Sequence, residues 1–313
     1  MKGVCAMSTK VAIVQAPPVL LHRDGRLRRC VRRSRMPPMR APRSYFPAYV
    51  PGYPSWIWRL RPGGDMGLSS EITQDCGKMP LISRTEAWRM SRGLQQNSAR
   101  LSLSASMNST ASSAERHCST VVVIGPDGTR LNRHRKLMPT NPEHGVGHGR
   151  CLGSACHRYA GGTAGNHICW ESYMPLARYA LYAQGIEIYV APTWDAGESW
   201  IATMRHIAKE AGCWVIGTAT VIQGSDVPDD FPERDKLFKP RSGSTTAMRS
   251  WSSPWARLLP DRTIDRKAYS TPTSTGRPRG EPAGRSMCGH YSRPDVFSFS
   301  VNRKPFRPAD FVG

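Results

Sequence analysis

No run of about 18 or more apolar residues occurs anywhere in the 313-residue chain, so no membrane-spanning helix is expected. The opening residues, MKGVCAMSTK, lack a hydrophobic segment of signal-peptide length, so no secretory leader is expected either. No Gly-X-Y period accompanies the 28 glycines and 26 prolines, which excludes a collagen-like fibre. The nine cysteines are odd in number and irregular in spacing, which argues against a secreted disulfide scaffold. Carboxylates are scarce: 23 Asp and Glu face 44 Lys and Arg, a formal charge of +21. The apolar fraction, 39%, is nevertheless too high for a generic disordered chain. These features together lead us to expect a cytoplasmic protein with a sizeable buried core.

A net charge of this size raises nucleic-acid binding as a first thought. Its distribution argues against that. His167–Phe238 carries five Lys or Arg and ten Asp or Glu, whereas Gly25–Pro47 carries eight Arg and no carboxylate. The positive charge belongs to segments 25–47, 73–118, 144–166 and 240–288, which are rich in Arg, Ser, Pro and Gly and have no clear period of 2 or 3.6. Such stretches read first as solvated linker or tail. One of them holds His144, His148, Cys151, Cys156 and His157, a group that looks like zinc ligands. Its spacing matches no pair-of-pairs pattern, and no metal site is assigned to it.

The blocks between are strongly patterned. Val11–Ala16 is a short apolar run ended by Pro17-Pro18, which predicts a buried strand. Ser119–Leu137 places a β-branched run, a Pro126-Asp127-Gly128 turn and a second extended stretch in succession, a hairpin. His167–Cys169 predicts the end of a short strand. Pro175–Gln184 has helical spacing through Leu176, Tyr179, Ala180 and Ala183, closed by Gly185. Ile186–Ala191 is the next strand, stopped by Pro192. Ser199–Ala211 is a helix with Ile201, Met204, Ile207 and Ala208 on one face, closed by Gly212, and Cys213–Val221 is a further strand. Alternation of this kind implies an α/β layered fold.

Cys169 stands where a strand gives way to a turn ahead of a helical segment. That placement would expose the thiol and bring backbone N–H groups near it, both of which favour the nucleophilic thiolate. Taken alone, Lys136 reads as a solvated lysine and Glu143 as unremarkable.

Several blocks together resemble a nitrilase of the carbon–nitrogen hydrolase superfamily. They are KVAIVQAPPVLL, PGYPSWIWRLRPGGDMGLSSEI, TVVVIGPDGTRLNRHRKLMPTNPE, the long segment from ICWESYMP to VIQGSD, and GHYSRPDVFSFSVNR. They occur in family order, and Cys-Trp-Glu followed by Ser-Tyr-Met-Pro is the mark of the nitrilase branch. The resemblance implies a four-layer αββα sandwich, a Cys–Lys–Glu triad, a homo-oligomer, a small-molecule nitrile as substrate, and no metal, organic cofactor, nucleic acid or membrane partner. It implies a hydrolase domain over residues 9–287 and a tail over 288–313, with Met7 an alternative start to Met1. Cys169 matches the nucleophile, Lys136 the catalytic lysine and Glu143 a supporting glutamate, while backbone N–H groups near Trp170 help to hold developing charge. The general-base glutamate belongs after Phe-Pro in the family motif, but here Ala48 follows Phe46-Pro47.

A shift of reading frame would account for this gap and for the basic segments together. Leu101–Ser109, back-translated and slid by two bases, can read VVVGVNEF, and Met36–Pro47 can read DAADAGAQILFP, ending where the missing Glu would follow. GC-rich codons read out of frame yield Arg, Pro, Ser and Gly, which would produce the +21. The chain as written is therefore expected to be poorly folded and nearly inactive. The alternatives are an inactive homologue retained for assembly and a basic nucleic-acid-binding protein.

Overall fold

The computed structural model describes residues 11–15, 44–47, 65, 67–68, 71–72, 101–108, 118–124, 130–140, 157–159, 162–195, 197–219, 224–238, 249–252, 268–270 and 293–301. The strands among them, in chain order, are β1 (Val11–Gln15), β2 (Ser44–Pro47), β3 (Leu101–Asn108), β4 (Cys118–Ile124), β5 (Arg130–Arg135), β6 (His157–Tyr159), β7 (Gly162–Asn166), β8 (Ile188–Thr193), β9 (Trp214–Ala219), β10 (Arg249–Ser252) and β11 (Ala268–Ser270). The helices are α1 (Pro175–Tyr182), α2 (Glu198–Ala211) and the single turn α3 (Arg234–Leu237), and a 3₁₀ turn spans Cys169–Tyr173.

The strands form two sheets. One has the order β11-β1-β2-β3-β4-β5, the other β10-β9-β8-β7-β6. In the second sheet β7, β8 and β9 are mutually parallel, joined through α1 and α2. Parallel strands require such crossovers, and both faces of the sheet are then buried. The side chains of β8 show this directly. Ile188 and Val190 enter one apolar cluster with Val121, Val123 and Ile216, filling the space between the two sheets. Tyr189 and Ala191 enter another with Leu181, Trp200, Ile201, Met204 and Ile207, beneath the helices. The described residues thus build helix, sheet and sheet in layers, an α/β architecture. The second helical layer of the implied sandwich lies outside them.

Both helices owe their position to the spacing of their buried residues. In α2 the expected face, Ile201, Met204, Ile207 and Ala208, is the buried one. Each large side chain taken out of water there contributes roughly 1.5–3 kcal/mol. In α1 the expected face is only partly buried, with Tyr179 packed against the cluster beneath the helices. Leu176 is 69% exposed, and the buried residues are Arg178, Leu181 and Tyr182. Arg178 can be buried because it donates to Ser172 O (2.8 Å) and to Glu210 Oε2 (3.0 Å), and Tyr182 donates to the same Glu210 oxygen at 2.7 Å. An ion-paired arginine thus shares the buried face with Leu181 and Tyr182, which enter the apolar cluster.

Three strand boundaries also differ from the sequence expectation. β7 ends at Asn166, so His167 and Ile168 are loop residues and Cys169 opens the 3₁₀ turn. β9 begins at Trp214 rather than at Cys213. β8 runs through Pro192 to Thr193 rather than stopping before it. The carbonyl of Val190 accepts from His167 N on the β7 side, so the N of Pro192, two residues on, faces that same side, beyond the last β7–β8 pair. A missing N–H there breaks no ladder bond.

The basic segments, expected as linker or tail, contribute strands. β2 lies in 25–47, β3 in 73–118, β6 and β7 in 144–166, and β10 and β11 in 240–288. Their pairing is backbone hydrogen bonding, which needs no apolar period in the side chains. No helix among the described residues is long and apolar enough to cross a membrane.

Candidate active site

The site forms off one end of each sheet. β2 and β3 are parallel, β4 runs against β3, and β5 against β4, so β2 and β5 point the same way. Lys136 follows the end of β5, and Pro47 is the end of β2. In the other sheet Cys169 follows the end of β7, and Thr193 is the last residue of β8. The carboxyl ends of parallel strands are where open α/β sheets place their functional groups.

Cys169 has φ +54°, a left-handed conformation in a residue that is not glycine. Such strain persists only where the surroundings fix it, and it is concentrated at functional turns. Contrary to expectation the residue is buried, only 5% exposed, among Val121, Val123, Ile188, Val190 and Ile216. Its Sγ accepts a hydrogen bond from Thr193 Oγ1 at 3.2 Å.

Lys136 is buried too, 4% exposed, where the sequence alone suggested a surface lysine. It continues the strand pairing through its N–H to Ser119 O (2.8 Å), and its Nζ donates to Thr140 Oγ1 at 2.7 Å. Alternation explains its burial. Residues two apart share a face, and His134 is also buried.

Glu171 connects the two regions. Its carboxylate accepts from the N–H of Ile168 at 2.6 Å and from the N–H of Leu137. The first bond closes half of a capping box on the 3₁₀ turn that begins with Cys169. The second reaches the residue after Lys136. His134 Nε2–H donates to both carboxylate oxygens, at 2.9 and 3.1 Å. Burial by itself would raise the Glu171 carboxyl; the imidazole of His134, its hydrogen bond, His167 and the Ile168 N–H outweigh that and hold it below the ordinary carboxylate range.

Beneath the turn runs a second buried chain of polar groups. Tyr189 hydroxyl donates to Ser172 Oγ at 3.0 Å and lies 3.1 Å from His167 Nδ1, which donates to it. Burial pushes the Tyr189 phenol up and His167 down, the latter to about 4. Both are neutral near pH 7.

Trp170 turns outward, half exposed, with Nε1 donating to Asp195 Oδ2 at 3.4 Å. Glu143, Ala48 and His144, His148, Cys151 and Cys156 lie outside the described residues, as does the side chain of His157. The structure therefore joins the surroundings of Cys169 and Lys136. It adds Glu171, His134, Thr193, Tyr189 and Ser172, which sequence reasoning did not single out. The signals were present: a carboxylate inside Cys-Trp-Glu, a histidine two residues before the lysine, and a threonine closing an apolar strand.

Comparison with known proteins gives the lineage of the chain. Residues 69–287 match the family model for carbon-nitrogen hydrolases, more than two-thirds of the chain. Nitrilase 2 of Arabidopsis thaliana is 36% identical over 209 residues, covering 62% of this chain and 59% of that protein. An aliphatic nitrilase of Sinorhizobium fredii is 36% identical over 196 residues, covering 59% and 60% respectively. The chain thus spans about six-tenths of the length of these curated relatives. Among solved structures, a carbon-nitrogen hydrolase from Helicobacter pylori superposes with a TM-score of 0.61 at 14% identity, over 85% of this chain and 88% of that one. An amidase from Nesterenkonia sp. gives 0.57 at 13%, over 86% and 90%. At such identities the structural likeness speaks for the fold, and the sequence match for the lineage: this chain belongs to the carbon-nitrogen hydrolase family.

Proposed function

We propose that the chain carries a nitrilase-type site, which converts a nitrile to a carboxylic acid and ammonia through covalent intermediates on Cys169. The observation that carries this reading is the Glu171 carboxylate, which accepts from Ile168 N and Leu137 N and so ties the Cys169 turn to the strand end bearing Lys136. The nitrilase names of the curated relatives support the choice of substrate class.

On this reading the Cys169 thiolate attacks the nitrile carbon, and the nitrogen takes up a proton to give a thioimidate. Water adds to that carbon, ammonia leaves, and a thioester remains on sulfur. A second water releases the carboxylic acid and restores the thiol. Lys136, with backbone N–H groups near Trp170, stabilises the charge of the tetrahedral intermediates. Glu143 supports the lysine. The substrate is a small-molecule nitrile, no cofactor takes part, and the hydrolase domain, 9–287, works as a homo-oligomer in the cytoplasm.

One position sets the rate. Ala48, next in sequence after the last residue of β2, stands where the family motif has its general-base glutamate. A missing general base costs about 10²–10⁴-fold. The absent carboxylate also favours a second reading, an inactive homologue. Ammonia release from aromatic and aliphatic nitriles, by the chain as written and by Ala48→Glu, separates the two. Hydrolysis predicts slow release that Ala48→Glu raises by about 10²-fold or more and that Cys169→Ala abolishes. Release that survives Cys169→Ala overturns the proposal, and no release from Ala48→Glu establishes the inactive homologue.

A further inference from the structure

We propose that Thr193 is a further catalytic residue, whose hydroxyl donates to Cys169 Sγ, fixes the sulfur in one orientation and stabilises its thiolate. This rests on Cys169 being the nucleophile. The Thr193 hydroxyl lies 3.2 Å from the sulfur, and both residues are buried.

Its proton has a defined direction. Asp195 N–H donates to Thr193 Oγ1 at 2.9 Å, so that oxygen acts as an acceptor toward the loop and turns its own O–H toward the sulfur. The Asp195 side chain holds the loop in place by accepting from Gly197 N at 2.9 Å and from Trp170 Nε1 at 3.4 Å. The donor is thus braced against the residue that follows the nucleophile. Threonine suits the task because branching at Cβ leaves few side-chain rotamers. Its backbone is the last residue of a central parallel strand and is correspondingly rigid.

A hydrogen bond donated to a charged group in a buried setting is stronger than one between neutral groups. The bond to sulfur strengthens as the thiol becomes a thiolate, so it favours the form that attacks. It also bears on the missing glutamate. With Ala48 in place of a base, the thiolate fraction rests more heavily on whatever stabilises the anion.

The experiment measures the alkylation of Cys169 by iodoacetamide against pH. Trypsin releases residues 159–178, which contain Cys169 and no other cysteine, so its labelling is read by mass spectrometry apart from the other eight. Titratable groups on this turn and the elements around it include Glu171, Tyr173, His134, Lys136, His167, Tyr189, Arg178 and Asp195. All stay unchanged in the variants, so a difference between profiles isolates the hydroxyl. Thr193→Val should move the profile to higher pH by about one unit, making labelling near neutral pH about tenfold slower. Thr193→Ser should keep the wild-type profile. Coincident wild-type and Thr193→Val profiles overturn the proposal. Should the valine variant lose the native circular dichroism, the Ser and Ala variants decide: a shift in Ala but not Ser supports the role, and equal profiles overturn it. The readout needs no nitrile turnover, so a chain that fails to hydrolyse nitriles contradicts the proposed function and leaves this test standing.

Discussion

His167 and Glu171 flank Cys169 and are buried to the same extent, yet burial acts on them differently. Glu171 is ringed by donors, so its anion is kept. His167 has Tyr189 as a neutral partner and sits with its ring centroid 5.7 Å from that of His134, so burial dominates and its ionisation falls to about 4. The ordinary value for an unfolded chain is about 6.5. Between these two values the unfolded chain binds more protons than the folded one, so stability falls as pH drops through that window. The folded protein should lose about 2 kcal/mol between pH 7 and pH 5 from this residue alone. Urea unfolding at the two pH values should show that loss in wild type and a much smaller one in His167→Gln. Equal losses in both would assign the effect elsewhere.

At the scale of elements, the end of α2 shows how a local rule and a tertiary demand coincide. Gly212 caps the helix at φ +62°, and its N–H reaches Ala208 O. The next residue, Cys213, is buried just ahead of β9, so the chain must reverse within one residue. An L side chain resists that conformation, and Gly212→Ala should cost about 1 kcal/mol, read as a lower urea midpoint with an unchanged slope. This cap was legible in the sequence, as were α2, the hairpin strands β4 and β5 and the order β7-α1-β8-α2-β9, because apolar period and glycine punctuation agreed there. The buried face of α1 was not legible. It depends on Arg178 meeting Glu210, a residue 32 positions away, and no local pattern announces such a pair. The extension of β8 through Pro192 was hidden for a related reason. Proline reads as a strand stop unless it is known that the neighbouring strand has already ended.

Across the whole molecule, the basic segments are interleaved with the patterned blocks in both sheets. Among the residues whose side-chain burial is described, the buried apolar ones, Ile72 apart, run from Val121 to Phe238. The basic segments contribute edge strands to both sheets, β11 to one and β6 and β10 to the other, as well as the interior strands β2, β3 and β7. Composition pointed to linkers there because strand pairing through the backbone leaves no trace in side-chain period. Of the candidate site, Cys169 and Lys136 were singled out in the sequence, and the structure brings their surroundings together. The connecting carboxylate and the Thr193 hydroxyl emerge only when β5, β7 and β8 are brought together. The proposed reaction depends on Cys169 Sγ as the atom that attacks substrate. Its most direct test is the mass of tryptic peptide 159–178 after the purified chain has been incubated with an aromatic nitrile and quenched in acid. The expected result is a gain equal to one nitrile, or to the corresponding acyl group, carried on Cys169. An unmodified peptide, with the label absent or on another cysteine, would contradict it.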